Sequence, residues 1–326
     1  MTGALSCGSC NRRYAIRSGI PDFVDLETGN DASLEAIKSA TVSQFGYEWR
    51  HYKDWGWLEA YPDVADAERK FLGALIENTE AAFSGKSMLS DSDLDTGKWV
   101  LDAGCGNGRF TNQAARRGAN VVGVDIGDGT VSAFAHTRHL ENVHILRGDL
   151  FNLPLVKDAF DTIFSIGVLM HTGDAEKAFR EIVCRVKPGG HVVAHVYGRG
   201  RQSYEIIDRT LRAVTVKLPV SFQMLFAKGA AAVARWFLAS QDRERYFWQK
   251  IYPHINLLPT DHHMFDWWSA PVATHHTIGE VSDWFESAGL TIENSRPPVD
   301  DPMTIDEGRN IHDAITVLGR RPLDGR

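Results

Sequence analysis

The sequence predicts a doubly wound α/β fold with a mostly parallel sheet of seven strands. Short apolar runs alternate with amphipathic helical segments from Lys98 onward, and a glycine-rich turn follows the first of these runs. Strands that are apolar along their whole length are typical of a parallel sheet covered by helices on both faces. An N-terminal helical segment precedes the predicted sheet, and a helical insertion follows its fifth strand.

Each element is placed by its apolar spacing and by the turn residues that bound it. The predicted strands are residues 98–102, 120–125, 143–146, 160–165, 191–197, 290–294 and 314–319. The predicted helices between them are residues 107–117, 129–140, 174–186 and 277–288. Gly118 and Gly289 stand where helix C-caps are expected, and Lys187-Pro-Gly-Gly190 closes the helix before strand five.

The overall composition favours an ordinary globular protein. Hydrophobic residues make up 43% of the 326 residues and charged residues 24%, and the net charge is −7. An acidic balance argues against a nucleic-acid-binding surface. No apolar stretch approaches the roughly 20 residues of a membrane span, and no signal peptide is evident. With only four cysteines, a reduced, cytoplasmic location is expected.

Chemically distinctive residues follow four of the predicted strands. A loop with Gly104 and Gly106 follows strand one, Asp125 ends strand two, Asp149 follows strand three and Ser165 ends strand four. Ligands of such sheets bind at the carboxyl ends of the strands. A nicotinamide dehydrogenase is the main competing interpretation, but it requires Gly-x-Gly-x-x-Gly, and here the third glycine comes too soon.

The combined motifs resemble the class I S-adenosylmethionine-dependent methyltransferases, which have a Rossmann-like fold. The strings that carry the resemblance are Val-Leu-Asp-Ala-Gly-Cys-Gly-Asn-Gly-Arg (100–109), Gly-Val-Asp (123–125), Gly-Asp-Leu (148–150), Phe-Asp-Thr-Ile-Phe-Ser-Ile-Gly-Val-Leu-Met-His-Thr (160–172) and Lys-Pro-Gly-Gly (187–190). Several ordered motifs at these spacings are specific, whereas any one of them alone is not.

The resemblance implies a binding site for S-adenosyl-L-methionine. Gly104 and Gly106 would face its methionine part, and Asp102 would orient its amino group. Asp125 would bind the ribose, and Asp149 with Leu150 the adenine. The complete set of expected cofactor-binding residues is Asp102, Gly104, Gly106, Asp125, Ile126, Asp149, Leu150 and Ser165.

Methyl transfer requires the acceptor atom, methyl group and sulfur to be held in line, and many acceptors must also lose a proton. His171 follows strand four and is the candidate catalytic base. The alternative is that it only closes the pocket by hydrogen bonding. The expected substrate wall consists of Trp49, Tyr197, Trp267 and His276. The two pairs of adjacent histidines at 262–263 and 275–276 fit no tight metal-ligand spacing, and no bound metal is expected.

The sequence divides into four predicted parts. Residues 1–30 contain Cys7-x-x-Cys10 and resemble the second half of a zinc-ribbon tail found on some methyltransferases, and we interpret them as a remnant without its first cysteine pair. Residues 31–97 form an N-terminal helical lid and linker. Residues 98–198 and 277–326 form the methyltransferase core, and residues 199–276 a helical substrate cap. Within the cap, the apolar helix 222–238 is interpreted as core packing, with a mouth for a lipid-like substrate or a dimer face as alternatives.

The sequence thus predicts an S-adenosylmethionine-dependent methyltransferase acting on a small molecule, with oxygen as the expected acceptor atom. One alternative is an RNA or protein methyltransferase, which would need a basic, exposed track. Another is a non-catalytic cofactor-binding scaffold or regulatory protein. The acceptor is not identified by the sequence, and a homo-oligomer remains open.

Overall fold

The computed structural model describes residues 2–8, 11–24, 32–57, 79–199, 202–255, 260–297 and 314–323. Its central element is a seven-stranded sheet, in the order β6-β5-β4-β7-β8-β10-β9. The strands are β4 (Trp99–Ala103), β5 (Asn120–Asp125), β6 (Val143–Arg147), β7 (Phe160–Ile166), β8 (Val186–Tyr197), β9 (Thr291–Arg296) and β10 (Ala314–Arg320). The mostly parallel α/β fold predicted from the sequence is confirmed.

Strands β4 to β8 are mutually parallel, and only β10 runs antiparallel to its neighbours β8 and β9. The carboxyl ends of the five parallel strands therefore lie at one edge of the sheet. Among these five strands β4 is the middle one, between β5 and β7, so the loop after it lies beside the loops after both neighbouring strands. This arrangement gathers the sequence motifs at one edge.

Helices cover both faces of the sheet. The helices are α1 (Ala32–His51), α2 (Thr79–Ser87), α3 (Arg109–Arg116), α4 (Gly129–Thr137), α5 (Ala175–Val183), α6 (Gln202–Thr215), α7 (Val220–Leu238), α8 (Gln241–Tyr246), α9 (Tyr252–Ile255), α10 (Asp261–Ser269) and α11 (Ile278–Ser287). A turn of π-helix, Phe247–Ile251, joins α8 to α9.

Alternate residues of the strands enter two separate cores. Leu101 and Ile163 point to the face covered by α5 and α11, whereas Val100 and Phe164 point to the face covered by α2 and α3. Successive side chains of a strand point to opposite faces, and both faces here are covered. This explains why the strands are apolar at nearly every position.

The beginning of β8 differs from the prediction. Strand five was expected to start at His191, after a turn at Lys187–Gly190, but β8 begins at Val186. Val186 pairs with Phe160 of β7, and the next pair joins Thr162 to His191, so residues 187–190 form a bulge within the strand. Pro188 lacks an N–H donor, and a bulge is one of the few places where a strand accepts proline.

The N-terminal residues form a small antiparallel sheet of β1 (Gly3–Ser6), β2 (Arg13–Arg17) and β3 (Ile20–Pro21). This sheet lies against edge strand β6. Phe23 donates a backbone hydrogen bond to the Arg147 carbonyl at 2.8 Å, and the Arg147 side chain pairs with Asp22 at 3.1 Å. The N-terminal sheet thus covers the exposed edge of β6.

A second packed unit lies in the insertion after β8. Met224 and Ala227 of α7 pack with Phe265 and Trp268 of α10, and Tyr47 and Tyr52 join them from α1 and the residue after it. The division into four domains remains a prediction. Residues 58–78 of the predicted helical lid lie outside the described residues.

The fold makes one stability prediction. Phe285 is fully buried, and its ring lies 4.6 Å from that of Phe179. Phe285→Ala should lower the free energy of unfolding by about 3–5 kcal/mol, because it removes apolar contacts and leaves a cavity. Urea titration measures the change. Phe222→Ala is the matched control, because Phe222 is 59% exposed and its loss should cost less than about 0.5 kcal/mol. Equal effects of the two variants would contradict the assigned core.

Candidate active site

A cavity of about 450 Å³ opens at the carboxyl edge of the parallel strands. On one side it is lined by the loops that follow β4, β5 and β6. On the other side it is lined by residues of α1 and α10 and by the end of β8. The cavity therefore lies between the sheet and the helical insertion.

The loop after β4 passes close to Val168 and Trp49, which leaves no room for a side chain at Gly104 and little at Gly106. Gly104 has φ +95°, and a Cβ added there would lie 2.3 Å from Val168 Cγ2. A Cβ at Gly106 would lie 3.1 Å from the Trp49 ring. Position 104 therefore requires glycine, both because of its positive φ and because of the contact with Val168. The loop thus presents backbone to the cavity, as close contact with a ligand requires.

Asp125 joins two of the loops that line the cavity. One carboxylate oxygen accepts the Gly106 N–H at 3.0 Å, and the other accepts the Gly127 N–H at 2.8 Å. Burial raises the pKa of Asp125, while these two N–H groups oppose the shift. Each carboxylate oxygen has a second lone pair, so the group can still accept hydrogen bonds from a pair of ligand hydroxyls.

Asp149 and Leu150 line the next part of the cavity, and Ile126 lines it beside Asp125. Asp149 accepts the Phe151 N–H at 2.9 Å and pairs with Lys38 of α1 at 2.7 Å. Burial lowers the pKa of Lys38, but Asp149 and a second carboxylate raise it by more, so this lysine remains charged. The ion pair attaches α1 to the loop after β6.

Three residues expected at the site do not line the cavity. Asp102 lies behind the glycine loop and accepts the Thr111 hydroxyl at 2.6 Å, and burial raises its pKa to about 7. Ser165 is fully buried and donates to the Ala103 carbonyl at 2.8 Å. Asp102 and Ser165 are each the last residue but one of their strand, and their side chains point into the protein interior. They support the glycine loop on the side away from the cavity.

His276 is the third expected site residue that does not line the cavity. Its ring packs against Trp284 at 4.8 Å, and Nε2 lies 2.8 Å from the Thr274 hydroxyl. The backbone N–H of His276 bonds the Tyr197 carbonyl at the end of β8, which directs the side chain toward α11. His276 therefore does not line the cavity in this structure, and its expected role in the substrate wall stays a prediction.

The other three residues of the expected substrate wall do line the cavity. Trp49 lies over the glycine loop, and the rings of Tyr197 and Trp267 are 4.3 Å apart on the opposite wall. Trp267 donates its indole N–H to Asp208 at 2.6 Å, which fixes its orientation. The far side of the cavity is thus an aromatic surface held in place by hydrogen bonds.

His171 also lines the cavity. Its Nδ1 lies 2.6 Å from the Val272 carbonyl oxygen, so Nδ1 carries the proton and Nε2 keeps its lone pair. The ring packs between Phe45 and Tyr197, and burial lowers its pKa to about 4. His171 is therefore neutral near pH 7.

Two carboxylates on the cavity wall, those of buried Glu48 and half-buried Asp266, were missed by the sequence analysis. Glu48 is 1% exposed, and its Oε2 accepts no hydrogen bond from any described residue. Burial raises the pKa of Glu48 to about 8 and that of Asp266 to about 7. The Glu48 carboxylate raises the pKa of Asp266 further, and Arg109 at the start of α3 lowers the pKa of both groups.

His262 lies beside this pair of carboxylates. Its Nε2 is 3.2 Å from Glu48 Oε1, and its ring stacks on Trp55 at 4.0 Å. Because His262 and Asp266 are four residues apart on α10, they share a helix face. That spacing, together with a lone acid in the aromatic run Gln44-Phe-Gly-Tyr-Glu-Trp49, was the available sequence signal. It was missed because only the tertiary packing of α1 on α10 brings the two segments together.

Among the residues that the structure describes, no three His, Cys, Asp or Glu side chains are grouped so as to hold a metal ion. Cys10 lies outside those residues, so the Cys7–Cys10 pair remains a prediction. Nor does the described part contain a helix long and apolar enough to cross a membrane.

Comparison with known proteins agrees with this geometry. A family model described as a methyltransferase domain matches residues 101–194. The chain is 39% identical over 101 residues to a tRNA U34 carboxymethyltransferase from Pseudoalteromonas translucida, covering 30% of this chain and 31% of that protein. It is 31% identical over 114 residues to a ubiquinone biosynthesis O-methyltransferase from Acinetobacter baylyi, covering 33% and 47%. The chain thus spans less than half the length of these relatives.

Among solved structures, the chain is similar to magnesium protoporphyrin IX methyltransferase from Synechocystis PCC 6803, with 13% identity and a TM-score of 0.49. The match covers 87% of this chain and 99% of the other. The region matched by the family model contains the glycine loop, Asp125, Asp149 and His171, which the structure places around one cavity. Residues 101–194 therefore form a methyltransferase domain of the class I, S-adenosylmethionine-dependent type.

Proposed function

We propose that this protein transfers a methyl group from S-adenosylmethionine to a small-molecule acceptor. The observation that supports the proposal best is the division of the cavity into two unlike halves. One half has the glycine loop, Asp125 and Asp149. The other has aromatic rings and the carboxylates of Glu48 and Asp266. A cavity of about 450 Å³ is in the usual range for small-molecule sites.

The first half fits the cofactor. Gly104 and Gly106 leave space for the methionine part, the Asp125 carboxylate has acceptor capacity for the two ribose hydroxyls, and Leu150 offers an apolar surface to the adenine ring. S-adenosylmethionine supplies a methyl group activated by a positively charged sulfur. The protein then has to hold the acceptor in line with that methyl and exclude water.

The second half fits an acceptor with both apolar and polar parts. Trp49, Tyr197 and Trp267 offer flat apolar surfaces, while Glu48 and Asp266 offer polar atoms at one place on the wall. A substrate that hydrogen-bonds to these carboxyl groups would be held in one orientation. This combination is the reason for proposing a small molecule bound in the cavity.

A hydroxyl acceptor, the class we propose, must lose its proton as the new bond to carbon forms. Two side chains on the wall can receive it. His171 offers the Nε2 lone pair but has a pKa of about 4, whereas Glu48 has a pKa of about 8. A base is most effective when its pKa lies near the working pH, so Glu48 is the stronger candidate and His171 the second.

The acceptor class can be tested with labelled cofactor. Purified protein is incubated with methyl-labelled S-adenosylmethionine and, separately, with a metabolite extract, total RNA or a protein extract. The proposal expects label in a small molecule. Label in RNA or protein would support the alternative of a macromolecular methyltransferase, which a tRNA-modifying relative makes worth testing. Tight binding without transfer to any fraction would support a non-catalytic scaffold.

The role proposed for Asp125 predicts a loss of cofactor affinity. Asp125→Ala removes an acceptor for the ribose hydroxyls and the partner of the Gly106 and Gly127 N–H groups. Affinity for S-adenosylmethionine should fall by about 2–3 kcal/mol in calorimetry, the usual range for a hydrogen bond to a charged group. Asp283→Ala is the matched control, because Asp283 is an exposed aspartate of α11 that does not line the cavity. Equal affinities for all three proteins would overturn the assignment.

The buried state of Glu48 predicts a pH-dependent stability difference. Its pKa is raised from 4.5 to about 8, so the folded protein keeps a proton that the unfolded chain releases. Its contribution to stability is therefore fully present below about pH 4.5 and is lost as pH rises toward 8. Glu48→Gln cannot ionise, so the variant should gain in unfolding free energy relative to the wild type across this range, by up to about 1.4 kcal/mol per pH unit.

Urea titrations of both proteins between pH 5 and pH 9 measure this difference. Glu176→Gln is a suitable control, because Glu176 pairs with Arg180 at the protein surface and its removal should change stability by less than about 1 kcal/mol. A constant gap between Glu48→Gln and the wild type would show that Glu48 is ionised in the folded protein.

A further inference from the structure

Helix α7 has an apolar face on each of its two sides. Met224, Ala227, Ala231 and Ala234 are buried against the rest of the protein. The opposite side has five exposed apolar side chains, which we call the α7 outer face: Phe222 (59% exposed), Leu225 (67%), Phe226 (39%), Val233 (59%) and Trp236 (57%). Their spacing of 3, 1, 7 and 3 residues places them in one stripe. A helix of a globular protein normally has polar residues on this side.

Positive charges predominate along the α7 outer face, and the first acids that follow it in the sequence are Asp242 and Glu244, beside Arg243 on α8. From Arg209 to Gln241 the sequence has five arginines and lysines and no aspartate or glutamate, in a chain whose net charge is −7. Lys228 and Arg235, both exposed, border the stripe along one side. Within the described residues neither of them forms an ion pair. The apolar stripe and the local positive charge therefore coincide, while the rest of the molecule is acidic.

Trp236 lies at one end of the stripe, where the Arg243 guanidinium packs 4.2 Å from the centre of its ring. Amphipathic helices that lie in the plane of a lipid bilayer have this composition, with Trp, Phe and Leu on the inserted face and Lys and Arg at its border. Tryptophan is favoured at the level of the headgroups, where its ring is half in the apolar region.

We propose that the α7 outer face lies flat on an anionic lipid bilayer, with its apolar side chains among the acyl chains and Lys228, Arg235 and Arg243 at the phosphates. The proposal does not depend on the methyltransferase activity. A second copy of the chain fits this surface less well. Two such faces in contact would bring Lys228 and Arg235 of the two copies together, and α7 itself has no aspartate or glutamate to pair with them.

The test is sedimentation of the purified full-length protein with vesicles. Wild-type protein should pellet with vesicles of equal parts phosphatidylglycerol and phosphatidylcholine, remain in solution with pure phosphatidylcholine, and be released from the anionic vesicles by 0.5 M salt. The tryptophan emission of the wild type should shift to shorter wavelength on binding, and the shift should be absent in the variant that lacks Trp236. Both Leu225→Ser/Trp236→Ser and Lys228→Glu/Arg235→Glu should bind at least about tenfold more weakly, because apolar burial and charge attraction both contribute.

Val131→Ser/Val156→Ser is the matched control, because Val131 (56% exposed) and Val156 (75%) are apolar surface residues on other elements. It should bind vesicles as the wild type does. Far-UV circular dichroism and S-adenosylmethionine affinity, unchanged in all three double variants, establish that each is folded. Wild-type protein that stays in solution with anionic vesicles would overturn the proposal. So would wild-type binding by Leu225→Ser/Trp236→Ser, or a dimer that this variant dissociates without any vesicle binding.

Discussion

The hydrogen bonds of Asp125 are the constraint on which the site depends. Its two oxygens hold the Gly106 and Gly127 N–H groups, and so fix the loops after β4 and β5 relative to one another. Parallel strands bring the two loops to the same edge, but only a specific contact sets the space between them. Gly104 and Gly106 have no side chains that could fix their positions. The Asp125 carboxylate therefore gives the cavity its shape together with Asn107 of the same loop, which donates to the Trp55 carbonyl at 2.8 Å.

Helix α1 closes the cavity by three contacts along its length. Lys38 pairs with Asp149, Trp49 lies on Gly106, and Arg50 pairs with Asp128. Each contact joins the helix to a different loop of the carboxyl edge. As a consequence, Glu48 faces inward on the same helix and meets His262 of α10. Helix α1 therefore borders both halves of the cavity, the loops that follow β4 to β6 on one side and the wall with Glu48 and His262 on the other.

Sequence patterns predicted the sheet and the loops that bring Gly104, Asp125 and Asp149 to one cavity, because these signals are local. An apolar run followed by Gly104-Cys-Gly106 or by Asp125 specifies a strand, a turn and a chemical group within a few residues. The positions of Asp102 and Ser165 were harder to predict, since a residue at a strand end can point into the cavity or behind the loop. Glu48 and Asp266 could not be paired from the sequence, because 217 intervening residues separate them and only the packing of α1 on α10 joins them.

Placing buried Glu48 near half-buried Asp266 lowers the stability of the folded protein. Removing a carboxyl group from water without full hydrogen bonding is unfavourable, and a second acid nearby adds repulsion when both ionise. Apolar residues of similar size would pack the same wall without either cost. The two acids lie on the cavity wall rather than elsewhere in the core, and Glu48 Oε2 has no hydrogen-bond partner among the described residues. A ligand that bonds to this oxygen would compensate for the cost, and that is the physical reason to regard this wall as the acceptor side.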